Sequence, residues 1–294
     1  MSVNPWQVIA EHIAQVTGAA FDPLEPKHIG GGCINTAVRL VDGERAYFVK
    51  LNLDSMLAMF EAEFEGLRAM AESRTIRVPE PLCSGIADGQ AYLVMEYIDM
   101  GHAGRGGAAT AGGQLAGMHR SLGERFGWHR DNTIGSTPQI NTPNHDWIAF
   151  WRDHRLGYQL ELAARNGYGG SLQRAGERLL QGFHVLIDHD PRPSLLHGDL
   201  WGGNMAYDRQ GNPVIFDPAV YYGDREADLA MTELFGGFGN AFYDAYREHW
   251  PLAHGYATRK QLYNLYHILN HLNLFGGGYL GQAGAMIDRL LAEI

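Results

Sequence analysis

The sequence predicts an α+β protein with two lobes, an antiparallel-sheet lobe with one main helix at residues 1–98 and a mostly helical lobe at residues 99–294. Short β-type runs joined by turn dipeptides fill the first hundred residues, and helical periodicity dominates after residue 108. A glycine-rich stretch at residues 101–107 separates the two patterns and is typical of a linker. A chain of 294 residues that is 45% apolar is long enough to give each lobe a core.

The N-terminal lobe is predicted from its turns. The runs "NTAVRLV" and "AYFVKLN" flank Asp42-Gly43, and the runs "PLCSGIA" and "QAYLVMEYI" flank Asp88-Gly89. Such dipeptides between β-type runs are a strong hairpin signal. An amphipathic helix is expected to begin near Pro5, and "SMLAMFEAEFEGLRAMAES" has the apolar spacing of the main helix.

The C-terminal lobe is predicted to be built from helices around one short buried strand. The strand is "NPVIFD", and it follows a polar, glycine-containing stretch. Apolar spacing predicts helices over residues 108–121, 144–166, 171–189, 240–249, 258–275 and 282–292.

Charge and cysteine usage restrict the partners and the compartment. The formal net charge is −10 and no run of Lys and Arg occurs, which disfavours nucleic acid and anionic membrane surfaces as partners. No apolar run reaches about 18 residues and the N-terminus lacks a signal-peptide pattern, so no membrane span is expected. With two cysteines, Cys33 and Cys83, a reducing cytoplasm is the expected setting.

The stretch "LLHGDLWGGNMAYDRQGNPVIFDP" carries the strongest chemical signal. Asp199 follows His197-Gly198, Asn204 lies five residues later, and Asp217 ends the predicted buried strand. In the phosphoryl-transfer sites of kinase-like folds, one Asp accepts the proton of the attacking hydroxyl, while an Asn and a second Asp hold Mg²⁺ against the ATP phosphates. An isolated Asp more often caps a turn, but this spacing with these apolar flanks favours Asp199 as base and Asn204 and Asp217 as Mg²⁺ ligands.

The N-terminal lobe offers a partner for the ATP phosphates. Lys50 ends the run "YFVK", where a kinase has its phosphate-binding lysine. A carboxylate of the following helix, Glu61, Glu63 or Glu65, could pair with it. Glu63 lies about 160° around the helix from the other two at about 100° per residue, so only one side faces the lysine.

Backbone groups are expected to complete the nucleotide site. Glycines allow the backbone to approach phosphates closely, and a triplet precedes the first hairpin: Gly30, Gly31 and Gly32. The run "LVMEYI" joins the two lobes, where backbone groups could hydrogen-bond adenine; the candidates are Glu96, Tyr97 and Ile98.

Four segments, "SLLHGDLWGGN", "VIFDPAVYYGDREADLAM", "GGGCINTA" and "DNTIGSTPQIN", resemble the fructosamine kinase family, which includes the ketosamine-3-kinases. The similarity runs from about residue 6 to about residue 291. It implies the aminoglycoside-phosphotransferase-like branch of the protein-kinase fold. It also implies ATP- and Mg²⁺-dependent phosphorylation of the sugar 3-hydroxyl of ketosamines, after which elimination of the phosphate frees the amine, a protein-deglycation repair activity.

By motif position, the resemblance implies that Asp199 is the base, that Asn204 and Asp217 hold Mg²⁺, and that Lys50 pairs with Glu63. It also places Trp201 where an aromatic ring would suit a sugar platform, with a core aromatic as the alternative.

Further residues in and near these motifs have expected roles, some of them with an alternative. Asp224 is a candidate for contact with the amine-bearing substrate or, alternatively, a helix cap, and Asp228 is expected to brace the catalytic loop. His119 is expected to serve packing or capping. Cys33, in the glycine loop, is a candidate for oxidation that links two chains, with a small buried residue as the alternative. The segment at residues 126–141 is expected to order a loop near the acceptor pocket.

The residues alone leave the acceptor open. The same pattern would serve a kinase for an aminoglycoside, choline or homoserine, and a nucleotide-binding protein without activity is the alternative from another class. Asp217-Pro218-Ala219 stands where a protein kinase has Asp-Phe-Gly, and no activation loop is evident. These departures favour constitutive activity on a small or flexible acceptor.

Overall fold

A computed structural model describes residues 4–30 and 35–294. The N-terminal lobe begins with helix α1 (Pro5–Thr17), whose first turn is capped by the side chain of Asn4, and which ends at Gly18 in the left-handed conformation. The rest of the lobe consists of strands β1 (Lys27–Ile29), β2 (Thr36–Asp42), β3 (Arg45–Leu53), β4 (Pro81–Ala87) and β5 (Gln90–Glu96), with helix α2 (Leu57–Glu72) between β3 and β4.

The five strands form one antiparallel sheet in the order β1-β2-β3-β5-β4. Both predicted hairpins are present. The turn between β2 and β3 has Gly43 at a φ of 61°, and the turn between β4 and β5 has Asp88 and Gly89 at 46° and 72°. Two successive positive φ values are typical of the type I′ turn, which explains the Asp-Gly pair there.

The two faces of the sheet pack against different partners. Val49 and Leu51 of β3 lie in a cluster with α1, on one face. Lys50 lies between them in the sequence, so the alternation of a strand turns it to the opposite face, where α2 lies. That face is continuous with the main core: Phe60 and Leu67 of α2 join the same cluster as the C-terminal helices.

The C-terminal lobe is mostly helical, as predicted. Its helices are α3 (Gly107–His119), α4 (Trp147–Trp151), α5 (Tyr158–Arg165), α6 (Ser171–Gly182), α7 (Arg225–Leu234), α8 (Asn240–His249), α9 (Tyr256–Phe275) and α10 (Leu280–Leu291). Three antiparallel pairs of short strands complete it: β6 (Asn132–Ile134) with β7 (Thr137–Gln139), β8 (Ser194–Leu196) with β11 (Tyr221–Gly223), and β9 (Met205–Tyr207) with β10 (Pro213–Ile215). All three residues of β10, the predicted buried strand, are buried.

Two predicted helices are wrong in extent. The one predicted over residues 144–166 is interrupted by a π-helical segment, Arg152–Gly157, between α4 and α5. The one predicted over residues 171–189 ends at Gly182 and continues only as a short 3₁₀ helix, Phe183–Leu186. The spacing of apolar residues does not distinguish a short 3₁₀ or π-helical segment from an α-helix.

The glycine-rich stretch at residues 101–107 lies between β5 and α3, where a linker was predicted, and it is packed against the C-terminal lobe. The Gly101 amide donates to the Tyr207 carbonyl at 2.7 Å, and the Gly104 amide donates to Gly211 at 3.3 Å. A Cβ at Gly101 would lie 2.8 Å from the Asp208 carbonyl oxygen, so this glycine permits the close approach.

Among the helices of the described residues, none has the length and apolar character needed to cross a bilayer.

Candidate active site

One lysine joins the N-terminal lobe to the predicted metal-binding segment. The Lys50 Nζ atom donates to Glu63 Oε1 at 2.6 Å and to Asp217 Oδ1 at 2.5 Å. Lys50 comes from the central strand β3, Glu63 from α2, and Asp217 from the residues just after β10. The expected pairing of Lys50 with Glu63 is therefore present, and Glu61 and Glu65 lie on another side of α2.

Lys50 and Glu63 are buried, which strengthens the interaction between their charges, whereas Asp217 is half-exposed. The side chains of Lys50 and Glu63 are 8% and 10% exposed, whereas Asp217 is 49% exposed. Burial alone would lower the pKa of Lys50, but the neighbouring carboxylates of Glu63 and Asp217 outweigh it and raise that pKa. Lys50 therefore stays cationic at neutral pH, as a phosphate-binding lysine must.

Asp199 and Asn204 lie in the loop between β8 and β9, beside Asp217. The Asn204 side-chain amide donates to the Asp199 carbonyl at 2.9 Å and lies 3.4 Å from both Asp199 Oδ2 and the Asp217 carbonyl. Since the amide nitrogen is used in this way, the Asn204 amide oxygen is the atom left to accept or to ligate. The structure thus brings Lys50, Asp199, Asn204 and Asp217 into one connected group.

Asp228, in the first turns of α7, is bonded to the loop of residues 197–204, which we call the catalytic loop after its predicted role. Its carboxylate accepts the backbone amides of His197 at 2.7 Å and Gly198 at 2.8 Å. His119 Nε2 lies 3.1 Å from the same carboxylate, and its Nδ1 lies 2.7 Å from the Tyr246 hydroxyl. Burial alone would raise the pKa of Asp228, but these hydrogen bonds and the nearby histidines lower it. The expected bracing role of Asp228 is confirmed.

The surroundings of Asp199 suit a group that takes up a proton. Burial, followed by the negative charges of Asp217 and Asp228, raises the pKa of Asp199 to about 7. The Asn204 amide opposes this rise by donating to the carboxylate. A carboxylate whose pKa lies near neutrality can accept a proton at the working pH of most enzymes.

The catalytic loop and the Asp217 segment are in backbone contact. Gly198 has a φ of 82°, and a Cβ there would lie 2.0 Å from the Ala219 carbonyl oxygen. The Ala219 amide in turn donates to the His197 carbonyl at 2.8 Å. Only glycine fits at position 198, both for its conformation and for this contact.

The segment at residues 126–141 contains the site residues that sequence reasoning missed. The Arg130 guanidinium lies 2.8 Å from Glu65 Oε1 and 3.3 Å from Glu61 Oε2, both on α2. His129 Nε2 lies 2.6 Å from Glu65 Oε2. The C-terminal lobe therefore contacts α2 on the side away from Glu63. We call the residues of these contacts the interlobe clamp: Arg130, His129, Glu61 and Glu65.

The same segment supports the backbone that follows Asp217. Asn132 donates to the Val220 carbonyl at 2.8 Å, and Gln139 donates to the Ala219 carbonyl at 3.1 Å. Gln139 is held in turn by the Tyr266 hydroxyl at 2.8 Å. These contacts order the backbone that follows Asp217 and connect it to α2, and a role of this segment near the acceptor pocket stays a prediction.

The two candidate substrate residues differ in exposure. Trp201, two residues after Asp199, is 40% exposed, so the core alternative is wrong and the ring is available to a ligand. Asp224 is 2% exposed and accepts hydrogen bonds from the Glu226 amide, the His189 ring and the Tyr263 hydroxyl. The substrate role for Asp224 is wrong because its carboxylate is buried and used as the N-cap of α7.

Two of the three backbone amides predicted to lie near adenine already donate hydrogen bonds within the protein. The Glu96 amide donates to the Glu80 carbonyl at 2.8 Å and the Tyr97 amide to the Ala46 carbonyl at 3.4 Å. Within the described part of the chain, the Ile98 amide donates to no backbone carbonyl. Gly30 is exposed, and a Cβ there would meet nothing within 4 Å.

Two of the three loop glycines, Gly31 and Gly32, and the candidate redox residue Cys33 lie outside the described residues. Cys83 is a buried free cysteine, and burial raises the pKa of its thiol to about 12. Its thiol is therefore not poised to form a disulfide between chains.

Sequence comparison places the chain among known kinases. The family described as "Fructosamine kinase" matches residues 5–293. The "Probable ketoamine kinase" of Synechocystis sp. is 51% identical over 295 residues, covering 99% of each chain. The "Protein-ribulosamine 3-kinase, chloroplastic" of Arabidopsis thaliana is 50% identical over 268 residues, covering 90% of this chain and 81% of that protein.

Structural comparison agrees. A crystal structure from Haemophilus somnus, assigned as a fructosamine-3-kinase, superimposes with a TM-score of 0.89 at 28% identity and covers 97% of both chains. A choline kinase of Streptococcus pneumoniae, at 15% identity, shares the fold with a TM-score of 0.65 over 98% of this chain and 99% of that chain. The two-lobe kinase-like fold predicted from the sequence is confirmed, and with a family match over nearly its whole length the chain belongs to the fructosamine kinase family.

Proposed function

We propose that this protein transfers the γ-phosphate of ATP, in a Mg²⁺-dependent reaction, to the sugar 3-hydroxyl of ketosamines and so acts in protein deglycation. The observation that carries the proposal is the connected group of Lys50, Asp199, Asn204 and Asp217 in a chain of this family. A chain that had lost the activity would be expected to lack one of these side chains.

The nucleotide side of the proposal rests on Lys50. Its ammonium group is held between Glu63, a carboxylate of the same lobe, and Asp217 of the C-terminal lobe. In this role it would contact the ATP phosphates, while the exposed Gly30 and the Ile98 amide would contribute backbone contacts to the phosphates and to adenine. Gly31 and Gly32 stay predictions for the same loop.

The donor set beside Lys50 fits Mg²⁺. The half-exposed carboxylate of Asp217 and the amide oxygen of Asn204 are hard oxygen ligands, which Mg²⁺ prefers, and few protein ligands suffice because water and phosphate supply the rest. When bound, Mg²⁺ would neutralise charge on the phosphates.

Asp199 is proposed to take the proton of the acceptor hydroxyl. The new bond forms between the sugar oxygen and the γ-phosphorus, the bond from that phosphorus to the bridging oxygen of ADP breaks, and the hydroxyl proton passes to the Asp199 carboxylate. The fixed loop geometry, held by Asp228 and the Gly198–Ala219 contact, would align Asp199 with the acceptor.

Trp201 is proposed as the platform for the sugar. Its ring is exposed and lies two residues from Asp199, so a sugar stacked on it would present a hydroxyl near the base. The names of the relatives, ketoamine kinase and protein-ribulosamine 3-kinase, support a ketosamine as the acceptor. The cysteine usage favours a reducing cytoplasm as the location.

The experiment is ADP release with Mg·ATP and either ribulosyl-lysine or fructosyl-lysine as acceptor, with Asp199→Asn as the matched inactive control. The expected result is turnover that requires the acceptor and Mg²⁺ and that falls by at least about a hundredfold in Asp199→Asn. An aminoglycoside, choline and homoserine complete the panel. Turnover with one of these and not with either ketosamine would replace the proposed acceptor. ATP binding without ADP release from any acceptor would indicate an inactive nucleotide-binding protein.

The proposed redox link through Cys33 stays a prediction. It is tested by comparing ADP release and oligomeric state between the reduced and peroxide-treated protein, with Cys33→Ser as the control. Unchanged turnover and an unchanged elution volume after oxidation would reject it.

A further inference from the structure

A row of aromatic side chains extends from the candidate acceptor site along the surface of the C-terminal lobe. It begins at Trp201 in the catalytic loop and continues through Phe235, at the end of α7, to the last turns of α9. We call its members the aromatic ridge: Trp201, Phe235, His271, Phe275 and Tyr279.

The members of the aromatic ridge contact one another in sequence. The Trp201 and Phe235 ring centroids are 6.1 Å apart, and those of Phe235 and His271 are 5.1 Å apart. His271 lies 5.4 Å from Phe275 and 5.2 Å from Tyr279. Three segments that are distant in the sequence, at residues 201, 235 and 271–279, therefore supply one continuous surface, which local packing of a single helix does not explain.

Three members of the aromatic ridge are exposed to solvent, and the other two are partly buried. Trp201 and Phe235 are each 40% exposed, and Phe275 is 65% exposed. Contiguous exposed apolar patches in soluble proteins commonly mark binding surfaces. No other group covers the neighbouring backbone at Gly278 and Gly281, since a Cβ added at either position would meet nothing within 4 Å.

The chemistry of the aromatic ridge selects its ligand. None of its five members carries a full charge, and burial lowers the pKa of His271, which keeps that ring neutral at pH 7. The zwitterionic end of a free amino acid would find no ionic partner among these rings. Apolar side chains would be buried against them, which is favourable.

The spacing of the aromatic ridge suits an extended chain. The steps between neighbouring rings are 5.1 to 6.5 Å, comparable to the roughly 6.6 Å between alternate side chains of an extended peptide. Because the ridge starts at Trp201, a peptide whose modified lysine enters the acceptor site would pass along it.

We propose that the aromatic ridge is a second acceptor subsite, which binds apolar residues that flank the ketosamine-bearing lysine of a peptide or of an unfolded protein segment. This inference rests on the proposed ketosamine kinase function and adds the class of amine carrier: peptides with apolar flanks bind better than free glycated amino acids.

The test compares three acceptors that carry the same ribulosyl-lysine: the free amino acid, a pentapeptide with glycine flanks, and a pentapeptide with leucine flanks. The expected result is that kcat/KM of the wild type is about tenfold higher for the leucine-flanked peptide than for the glycine-flanked peptide. In Phe275→Ala and in Tyr279→Ala this ratio falls towards one. Val185→Ala, which removes a half-exposed apolar side chain elsewhere, keeps the wild-type ratio.

Equal kcat/KM for the two peptides in the wild type, or a ratio that survives both Phe275→Ala and Tyr279→Ala, would overturn the subsite. Size-exclusion chromatography tests whether the aromatic ridge is instead a surface for self-association. If Phe275→Ala converts a dimer to a monomer and keeps the peptide preference, the aromatic ridge is a self-association surface and the subsite is rejected. Absence of turnover with the free amino acid and both peptides would instead reject the proposed function itself, so the two failures are distinguishable.

Discussion

Lys50 and Asp217 are 167 residues apart in the sequence, yet the Lys50 Nζ atom lies 2.5 Å from the Asp217 carboxylate. The contact joins the central strand of the N-terminal lobe to the segment proposed to hold Mg²⁺. Because the other contact of the lysine is Glu63, the three charges form one unit across the two lobes.

Replacement of Asp217 by Asn tests the metal assignment. The amide keeps the size of the side chain and tolerates the positive φ of 57°, but it removes the charge that Mg²⁺ and Lys50 share. We expect kcat to fall by about a hundred- to a thousandfold while the free energy of unfolding changes little. The measurement is ADP release over a range of Mg²⁺ concentrations, together with a denaturant melt. Normal turnover at ordinary Mg²⁺ would exclude Asp217 as a ligand.

Replacement of Arg130 by Met tests whether the interlobe clamp positions α2. In Arg130→Met, the ion pairs with Glu61 and Glu65 are lost, so α2 and with it Glu63 are expected to be held less firmly. These groups are partly exposed, which limits the effect to no more than about a tenfold rise in the KM for ATP. The KM for the acceptor is expected to stay within about twofold, since the change acts through α2.

The control for Arg130 is Arg68→Met. Arg68 also lies on α2, but among the described residues its only ion pair is with Glu72 on the same helix at 3.9 Å. Hydrogen exchange of residues 57–72 is expected to speed up in Arg130→Met and to stay unchanged in Arg68→Met. Equal exchange in both variants, with unchanged KM for ATP, would mean that the clamp does not position Glu63.

Asp224 is expected to matter for stability and not for substrate binding. In Asp224→Asn, one of the two carboxylate oxygens becomes an NH₂ group, which faces either the His189 and Tyr263 donors at Oδ2 or the Glu226 amide at Oδ1 inside the core. We expect the free energy of unfolding to fall by about 2–4 kcal/mol, and the KM for the acceptor to change by less than about twofold. Denaturant unfolding and steady-state kinetics measure the two effects. A large rise in KM at unchanged stability would restore Asp224 as a substrate contact.

His267 is expected to make the protein less stable as the pH falls. Burial, assisted by the neighbouring His271, lowers the pKa of His267 from 6.5 to about 3. Between these two values the unfolded chain binds a proton that the folded chain does not, so folding stability is fully present above pH 6.5 and is lost progressively as the pH decreases towards 3. From pH 7 to pH 5 this group alone is expected to remove about 2 kcal/mol.

His267→Leu removes this titration. Its unfolding free energy, from urea melts at pH 7 and pH 5, is expected to fall by about 2 kcal/mol less than that of the wild type over the same interval. The exposed His102 provides the matched control, His102→Leu, which is expected to retain the wild-type difference. If His267→Leu and the wild type lose equal stability on acidification, the buried histidine is not responsible.

Features that depend on neighbouring residues were predictable from the sequence. Each Asp-Gly hairpin, the alternation that turns Lys50 away from Val49, and the order of Asp199, Asn204 and Asp217 are local patterns with a physical meaning. The helix cap by Asp224 was one of the alternatives considered for that residue, and the Lys50–Glu63 pair was expected from the resemblance.

Features that depend on distant partners were not predictable. The ion pair of Arg130 with Glu65 joins residues that are 65 positions apart, and no periodicity marks it. The burial of Asp224 depends on Tyr263 of α9, and no local pattern marks that contact. Likewise, the raised pKa of Asp199 depends on charges supplied by Asp217 and Asp228, from two further segments.

The contact of Gly198 with the Ala219 carbonyl has a consequence for redesign. Since main-chain atoms of the two loops touch there, the spacing between Asp199, the proposed proton acceptor, and Asp217, the proposed Mg²⁺ ligand, cannot be adjusted by exchanging side chains in either loop. Attempts to retarget such an enzyme to new sugars would therefore leave residues 197–204 and 217–220 untouched and vary only the surfaces that surround them.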